Sequence, residues 1–509
     1  MWVVARYSFF VLPFSCLALV AAQVPTFRTG TTLIEFTIVA LDSAGNPITD
    51  LTKDDLVLTD GGRTREIAFF RFDGDAPAVS SAPRPALAPG FVTNRPEAER
   101  NVTAIVLDLI NINISDENEK HNQGTVRNQI LEYLKQLPPN SRVGLFRFSE
   151  LQPIAALQTF TESLDLVRQK VKDFPMAARR EFSVPETHTS RLGTGADSAA
   201  LAASEARALG HINGQIREMR ISKTLASLEA LGSHMAGIPG RKNLVWISDG
   251  VPIQDPDTKD TFGRGIHESA QRLANQGVTL YPVMAAGLAP ARRPDNSEVA
   301  TFTVFADVTG GRLVKDNNDL TLGVTLAAND QRGTYTIGFY ASDEQSDEWQ
   351  RLKVEVKRRN VALRHRQGYL AVRRSQPQNW APKNWNELAY QPLDSTAIRL
   401  NARSDAAGNQ VGVSLQVASG DLYFHEKDGQ VVADLEIGLV EKTARGPSNV
   451  RVQPFEVSLD APMRNSRPEF VPMKTTWTLN AATTALRVIV RDRFTGRYGT
   501  LDLPLSPQR

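Results

Sequence analysis

The chain has 509 residues, with 58 lysines and arginines against 56 aspartates and glutamates and a formal net charge of +2. So even a charge leaves no footprint for nucleic acid and no basic arm for a polyanion or membrane surface. So long a chain exceeds one compact core, and at roughly 150 residues per domain it implies two to four of them.

Residues 1–22 place Arg6 before an apolar stretch from Phe9 to Val20 and the small residues Ala21 and Ala22 before Gln23. This is the order of a cleavable secretory signal. The alternative is an uncleaved amino-terminal anchor, but the apolar run is short for a bilayer span of roughly 20 residues, and no later run reaches that length, so no stable membrane span is expected after cleavage. The single cysteine, Cys16, lies inside this segment. The mature chain is therefore expected to lack a disulfide, a thiol nucleophile and cysteine metal ligands.

In 23–75, Ile34, Phe36, Ile38 and Ala40 alternate, and Val57, Ile67 and Phe69 continue the pattern between turn signals at Asp42 to Pro47 and Asp60 to Gly62. Alternation with such turns predicts antiparallel strands of a β-sandwich. Asp42, Asp54, Asp55 and Asp60 are read as turn residues, since the regular calcium loop with its closing glutamate is missing. Residues 76–99, with Pro77, Pro83, Pro85, Pro89 and Pro96, read as an extended linker.

The central unit, 100–330, opens on an almost wholly apolar run, Val102 to Leu107, that stops at Asp108; a second such run, Leu244 to Ile247, leads to Ser248, Asp249 and Gly250. Between them Val126, Ile130, Leu131, Leu134 and Leu137 fall on one helical face, Arg142 to Phe148 reads as a strand, and Thr161 as a cap for Leu164, Val167 and Val171. Residues 177–220 are polar and alanine-rich, broken by Gly193, Gly195, Gly210 and Gly214, and read as an inserted helical arm. The stripe Leu225, Leu228, Leu231, Met235 and Ile238 follows as an amphipathic helix. A helix from Ile266 to Ala274, a strand from Val278 to Val283, a helix from Phe302 to Val308, the Gly310-Gly311 turn and a helix after Asp319 complete the unit. Apolar strands alternating with helices predict an α/β doubly wound, mostly parallel sheet covered on both faces, with ligands in the crevice beyond the carboxyl ends of the strands.

Strands resume in 331–373, at Gly333 to Tyr340, Arg351 to Val356 and Tyr369 to Val372, and are expected to complete the amino-terminal sandwich. A linker, 374–394, carries Trp380 and Trp385 for packing between domains, and 395–509 is strand-rich enough for a separate carboxyl-terminal β-sandwich of immunoglobulin-like size.

The segments Val106 to Asn111, Leu231 through Pro239 to Gly250, Ala306 to Arg312 and Asn317 to Leu320, with Asp42 to Pro47, Leu51 to Leu58 and Arg366 to Leu370 around them, together resemble the bacterial VWFA-related proteins, which carry a von Willebrand factor type A domain. Metal-binding domains of that kind hold magnesium or another divalent cation through an Asp-x-Ser-x-Ser loop, a threonine from a second loop and an aspartate from a third. The resemblance implies Asp108 at the first position and Asp249 at the third, with Thr224, or Thr194 behind it, as the threonine. The two serine positions are Ile110 and Ile112, which offer no ligand, so Asn111 and Asn113 would contribute amide oxygens only in a shifted loop. The alternative is that Asp108 and Asp249 cap backbone amides at the sheet edge.

His121, His188, His211, His234, His267, His365 and His425 show no metal-ligand spacing, and no nucleophile elbow accompanies them. The resemblance therefore implies an exported, non-enzymatic protein-binding or adhesion protein, periplasmic or at the cell surface, with a protein ligand. Two alternatives stand beside it: a metal-dependent hydrolase using the strand-end aspartates, and a structural protein of cell-envelope assembly.

Overall fold

A computed structural model describes residues 32–74, 87–95, 101–111, most of 127–137, 141–174, 196–254, 261–284, 296–315, 321–341, 349–370, 385–407, 409–459, 468–480 and 482–505. The expected signal segment, the amino-terminal part of the arm, and Thr194, Ile112, Asn113 and Trp380 lie outside them.

The first strands are β1 (Thr32–Asp42), β2 (Leu56–Asp60), β3 (Arg63–Arg65), β4 (Phe69–Phe72) and β5 (Val92–Thr93). The α/β unit follows with β6 (Val102–Asp108), β7 (Arg142–Phe148), β8 (Ala155–Thr161), α1 (Leu164–Asp173), α2 (Ala196–Met235), β9 (Lys242–Ser248), α3 (Gly263–Asn275), β10 (Val278–Met284), α4 (Asn296–Thr309) and α5 (Thr321–Arg332). Then come β11 (Thr334–Ala341), β12 (Trp349–Val356), β13 (Val361–His365), β14 (Gly368–Leu370), the short helix α6 (Trp385–Tyr390) and eight strands, β15 (Leu400–Ala407), β16 (Gln410–Ala418), β17 (His425–Lys427), β18 (Gln430–Thr443), β19 (Gly446–Leu459), β20 (Phe470–Thr478), β21 (Ala485–Asp492) and β22 (Tyr498–Pro504).

The central sheet runs β10-β9-β6-β7-β8, parallel except for the antiparallel edge strand β8. Every residue of β6, β9 and β10 is buried, as a sheet covered on both faces requires. Alternate residues of β6 serve opposite layers: Val102, Ala104 and Val106 pack with Trp246, Leu228, Leu231, Met235, Phe302 and Phe305, and Ile105 and Leu107 with Ile130, Leu134, Val167, Val171 and Ala327. The glycine turn after α4 is sterically fixed. Gly310 has φ +78°, and a Cβ on Gly311 would stand 1.7 Å from the Leu280 carbonyl oxygen.

Two details of the sequence reading change. Gly210 and Gly214 do not break the arm: α2 is one continuous helix from Ala196 to Met235, roughly 60 Å long at 1.5 Å per residue, because its last turns are anchored in the core by Leu228, Leu231 and Met235. Thr161 does not cap α1; the helix begins at Leu164 after Ser163, and the Thr161 hydroxyl accepts the Ser163 N–H at 3.1 Å.

The β-rich regions interleave across the α/β unit. β1 pairs with β11 and β13, and β12 pairs with β2, so strands from before and after the α/β unit share two sheets and one apolar layer that includes Phe36, Ile38, Leu58, Tyr335, Phe339, Val354 and Tyr369. In the stretch expected as a linker, β5 pairs with β15, and Asn94 donates to Ser395 O and Ile398 O and accepts the Leu400 N–H at 2.6 Å. β15–β22 enclose a second apolar layer around Leu415, Ile437, Val488 and Leu501. Trp385 packs on this region, its ring so close over Gly438 that a Cβ there would lie 2.4 Å from it.

Candidate functional site at the carboxyl edge of the sheet

β6 and β9 are neighbours in register, with Leu107 opposite Ile247, so Asp108 and Ser248 leave the sheet side by side and Asp249 follows at once. Asp108 is wholly buried, and Asp249 is 4 % exposed. On the next strand out, β7 ends at Phe148 opposite Asp108, and the loop 149–153 crosses the edge. α2 closes the site from above. Arg220 Nε donates to Glu150 Oε1 at 2.8 Å, Lys223 Nζ to Glu150 O at 2.7 Å and Ser227 Oγ to Pro153 O at 2.8 Å, which fixes both the loop and the helix turn that carries Thr224.

Three of the residues singled out in the sequence meet here. Asn111 Nδ2 donates to Asp108 Oδ2 at 2.7 Å and to Thr224 Oγ1 at 2.8 Å, and the Thr224 hydroxyl donates onward to Arg220 O at 2.9 Å. Two donors come from β9, where sequence reading did not look: Trp246 Nε1 at 3.0 Å and Ser248 Oγ at 2.8 Å, both on Asp108 Oδ2. They stand two apart on a strand and share one face, so strand alternation was the signal that could have found them. The Trp246 ring is held edge-on by Phe302 and Phe305 of α4, at 4.7 and 5.6 Å between ring centres. The other carboxylate oxygen accepts the backbone N–H of Ile110 at 3.1 Å and of Asn111 at 3.3 Å, so the loop turns back over its own aspartate. Burial pushes the Asp108 carboxyl above the usual range, and the Asn111, Ser248 and Trp246 hydrogen bonds oppose that push.

As they stand, these residues do not fit a hard cation. Ile110 is 2 % exposed and packs in the apolar layer with Val106 and Phe148, and Asn111 turns its nitrogen, not its oxygen, toward Asp108 and Thr224. Among the described residues no group of three or more histidine, cysteine, aspartate or glutamate side chains is placed to hold a metal. The amino-terminal aspartates act as turn residues: Asp42 accepts from the Ala44 and Asn46 amides, and Asp55 from Thr52. The ring nitrogens of His234, His365 and His425 meet Asp394 O, the Val354 N–H with Arg366 O, and Asp434 with Glu426 O, and none of these partners is a hydroxyl.

No protein-family model matches the chain, and no curated protein matches it. Among solved structures, similar ones include the conserved hypothetical protein BatB from Bacteroides thetaiotaomicron, 12 % identical over 45 % of this chain and 97 % of that one, at a TM-score of 0.26. A von Willebrand factor type A structure from Catenulispora acidiphila is 10 % identical over 94 % of this chain and 74 % of that one, at 0.26, and the manganese-loaded TRAP protein of Plasmodium vivax is 12 % identical over 72 % and 95 %, at 0.21. Superpositions so loose carry no weight of their own. With its mostly parallel sheet, helices on both faces and Asp108 and Asp249 following adjacent strands at the carboxyl edge, the central unit is a doubly wound α/β domain.

Proposed function

We propose that this is an exported, non-enzymatic binding protein that presents the carboxyl edge of its A-like domain to a protein ligand, with β-sandwich units, the carboxyl-terminal one of immunoglobulin-like size, on either side. The observation that carries the reading is Leu151, which is 79 % exposed on the loop that crosses this edge. The loop beneath it is tied down by Arg220 and Lys223 on Glu150, by Ser227 on Pro153 and by Ser149 Oγ on Gln152 O at 2.9 Å. An apolar side chain held out on a fixed loop is pre-organised for contact with another protein surface. The Asp108 network is joined to that loop through α2: Asn111 donates to Asp108 and Thr224, the Thr224 hydroxyl donates to Arg220 O, and the Arg220 guanidinium holds Glu150.

The test is a photo-crosslinking residue placed at Leu151 and, as control, at Tyr390, which is 66 % exposed on α6. With envelope and surface proteins of the producing cell, discrete adducts are expected from position 151 and not from 390. The competing reading, a hydrolase, is tested by assaying the mature protein on ester, phosphoester, glycoside and peptide substrates. Turnover abolished by Asp249→Ala would overturn the proposal.

A further inference from the structure

We infer that the side-chain amide of Asn111 takes the place of a divalent cation in this A-like site, so that the carboxyl edge keeps its shape without metal. The inference concerns what holds the site together and stands whichever partner the edge binds.

The amide nitrogen sits between the two oxygens that the metal-binding arrangement would bring to one ion, 2.7 Å from Asp108 Oδ2 and 2.8 Å from Thr224 Oγ1. It carries two hydrogens, and each has one oxygen to meet. The directions are then fixed by the neighbours. Thr224 spends its own hydrogen on Arg220 O, so its lone pair faces the amide; Ser248 spends its hydrogen on Asp108 and accepts the Gly250 N–H at 3.0 Å. Turning the amide over would press its oxygen against the Asp108 carboxylate, so the orientation follows from chemistry. Five donors, Ile110 N–H, Asn111 N–H, Asn111 Nδ2, Trp246 Nε1 and Ser248 Oγ, converge on Asp108, and a carboxylate offers about four lone-pair sites. A hard cation needs about six oxygens or more with lone pairs directed at it. Here the Asp108 and Thr224 oxygens already accept a hydrogen from the amide, and the side chain of Ile110 is packed into the core.

The test uses the full mature chain and the metals alone. Titration calorimetry with Mg²⁺ and Mn²⁺ is expected to show no saturable heat, and the melting temperature is expected to be the same in EDTA and in millimolar Mn²⁺. In Asn111→Asp the amide is replaced by a second carboxylate beside Asp108, so the variant should melt lower in EDTA. It should regain about 5–10 °C at a Mn²⁺ concentration about a hundred times Kd. Should that variant not fold in either condition, Asn111→Ser removes the amide without adding charge and should gain a Mn²⁺-dependent melting temperature. Two results overturn the inference: saturable metal binding by the native chain that Asp108→Asn abolishes, or a folded Asn111→Asp or, where that does not fold, Asn111→Ser protein indifferent to Mn²⁺.

Discussion

Asp108 and Asp330 are both wholly buried aspartates of the same α/β unit, yet they are held in opposite ways. Among the described residues, Asp108, at the carboxyl edge, is met only by uncharged donors, from Ile110 and Asn111 of its own loop and from Trp246 and Ser248 of β9. Asp330 lies near Arg241, the residue that leads into β9. It receives the Tyr281 hydroxyl at 2.7 Å and is paired with Arg312 at 2.9 Å, Arg364 at 3.4 Å and Arg241 at 3.9 Å. Burial pushes both carboxyls up; at Asp330 the charges of Arg241 and Arg312 pull back down, and at Asp108 only hydrogen bonds do. Arg364 belongs to β13, and Arg241 also donates to Thr37 on β1 at 3.4 Å, so the Asp330 cluster fastens the α/β unit to the first β-rich region. A buried carboxylate is therefore no mark of a site in itself. One that is neutralised by full charges from several elements is a joint, and one that is held by dipoles within a single edge shapes that edge.

The largest effect that would sharpen this contrast is expected at the joint. Asp330→Asn leaves the arginines without their counter-charge, with Arg241 only 1 % exposed, and should cost about 3–5 kcal/mol, read as a lower denaturant midpoint. Asp108→Asn removes one acceptor oxygen from neutral donors and should cost less, about 2–3 kcal/mol. Equal losses from the two variants would break the comparison.

Lys242, next to Arg241 at the amino end of β9, tests the joint's side of the sheet through pH. Its ammonium donates to Ile238 O at 3.0 Å and Gly240 O at 3.4 Å, and burial, with smaller contributions from Arg366 and Arg497, brings its pKa from 10.5 down to about 8. Between those values the unfolded chain binds more protons than the folded one. The contribution to stability is thus full above 10.5 and is lost as pH falls through 8. Urea midpoints should rise from pH 8 to pH 10 by at most about 3 kcal/mol of stability relative to Lys242→Met, in which that rise disappears.

The smallest effect lies away from both aspartates. A Cβ on Gly210 would meet nothing within 4 Å, so Gly210→Ala should stabilise α2 by about 0.5–1 kcal/mol, seen as a slightly raised melting temperature. A loss instead would mean that this stretch of the helix is not independent of the edge below it.

The sequence by itself determined the elements whose signal is local. The period-two and unbroken apolar runs of β1, β6, β9 and β10 and the 3.6-residue stripes of α1 and α2 could be read because burial on a strand or helix repeats within one short window. The same window shows apolar runs ending at Asp108 and Asp249, and the resemblance added Asn111 and Thr224. Only the tertiary structure decided what those residues face. The Trp246 and Ser248 donors reach Asp108 across 138 and 140 residues, Asn94 meets Leu400 across 306, and Arg364 meets Asp330 only once β13 has paired with β1. Gly210 and Gly214 carry a local breaking signal that the core contacts of Leu228, Leu231 and Met235 override. Donor direction, charge pairing and helix continuity depend on groups brought together by packing, and no stretch of chain contains both partners.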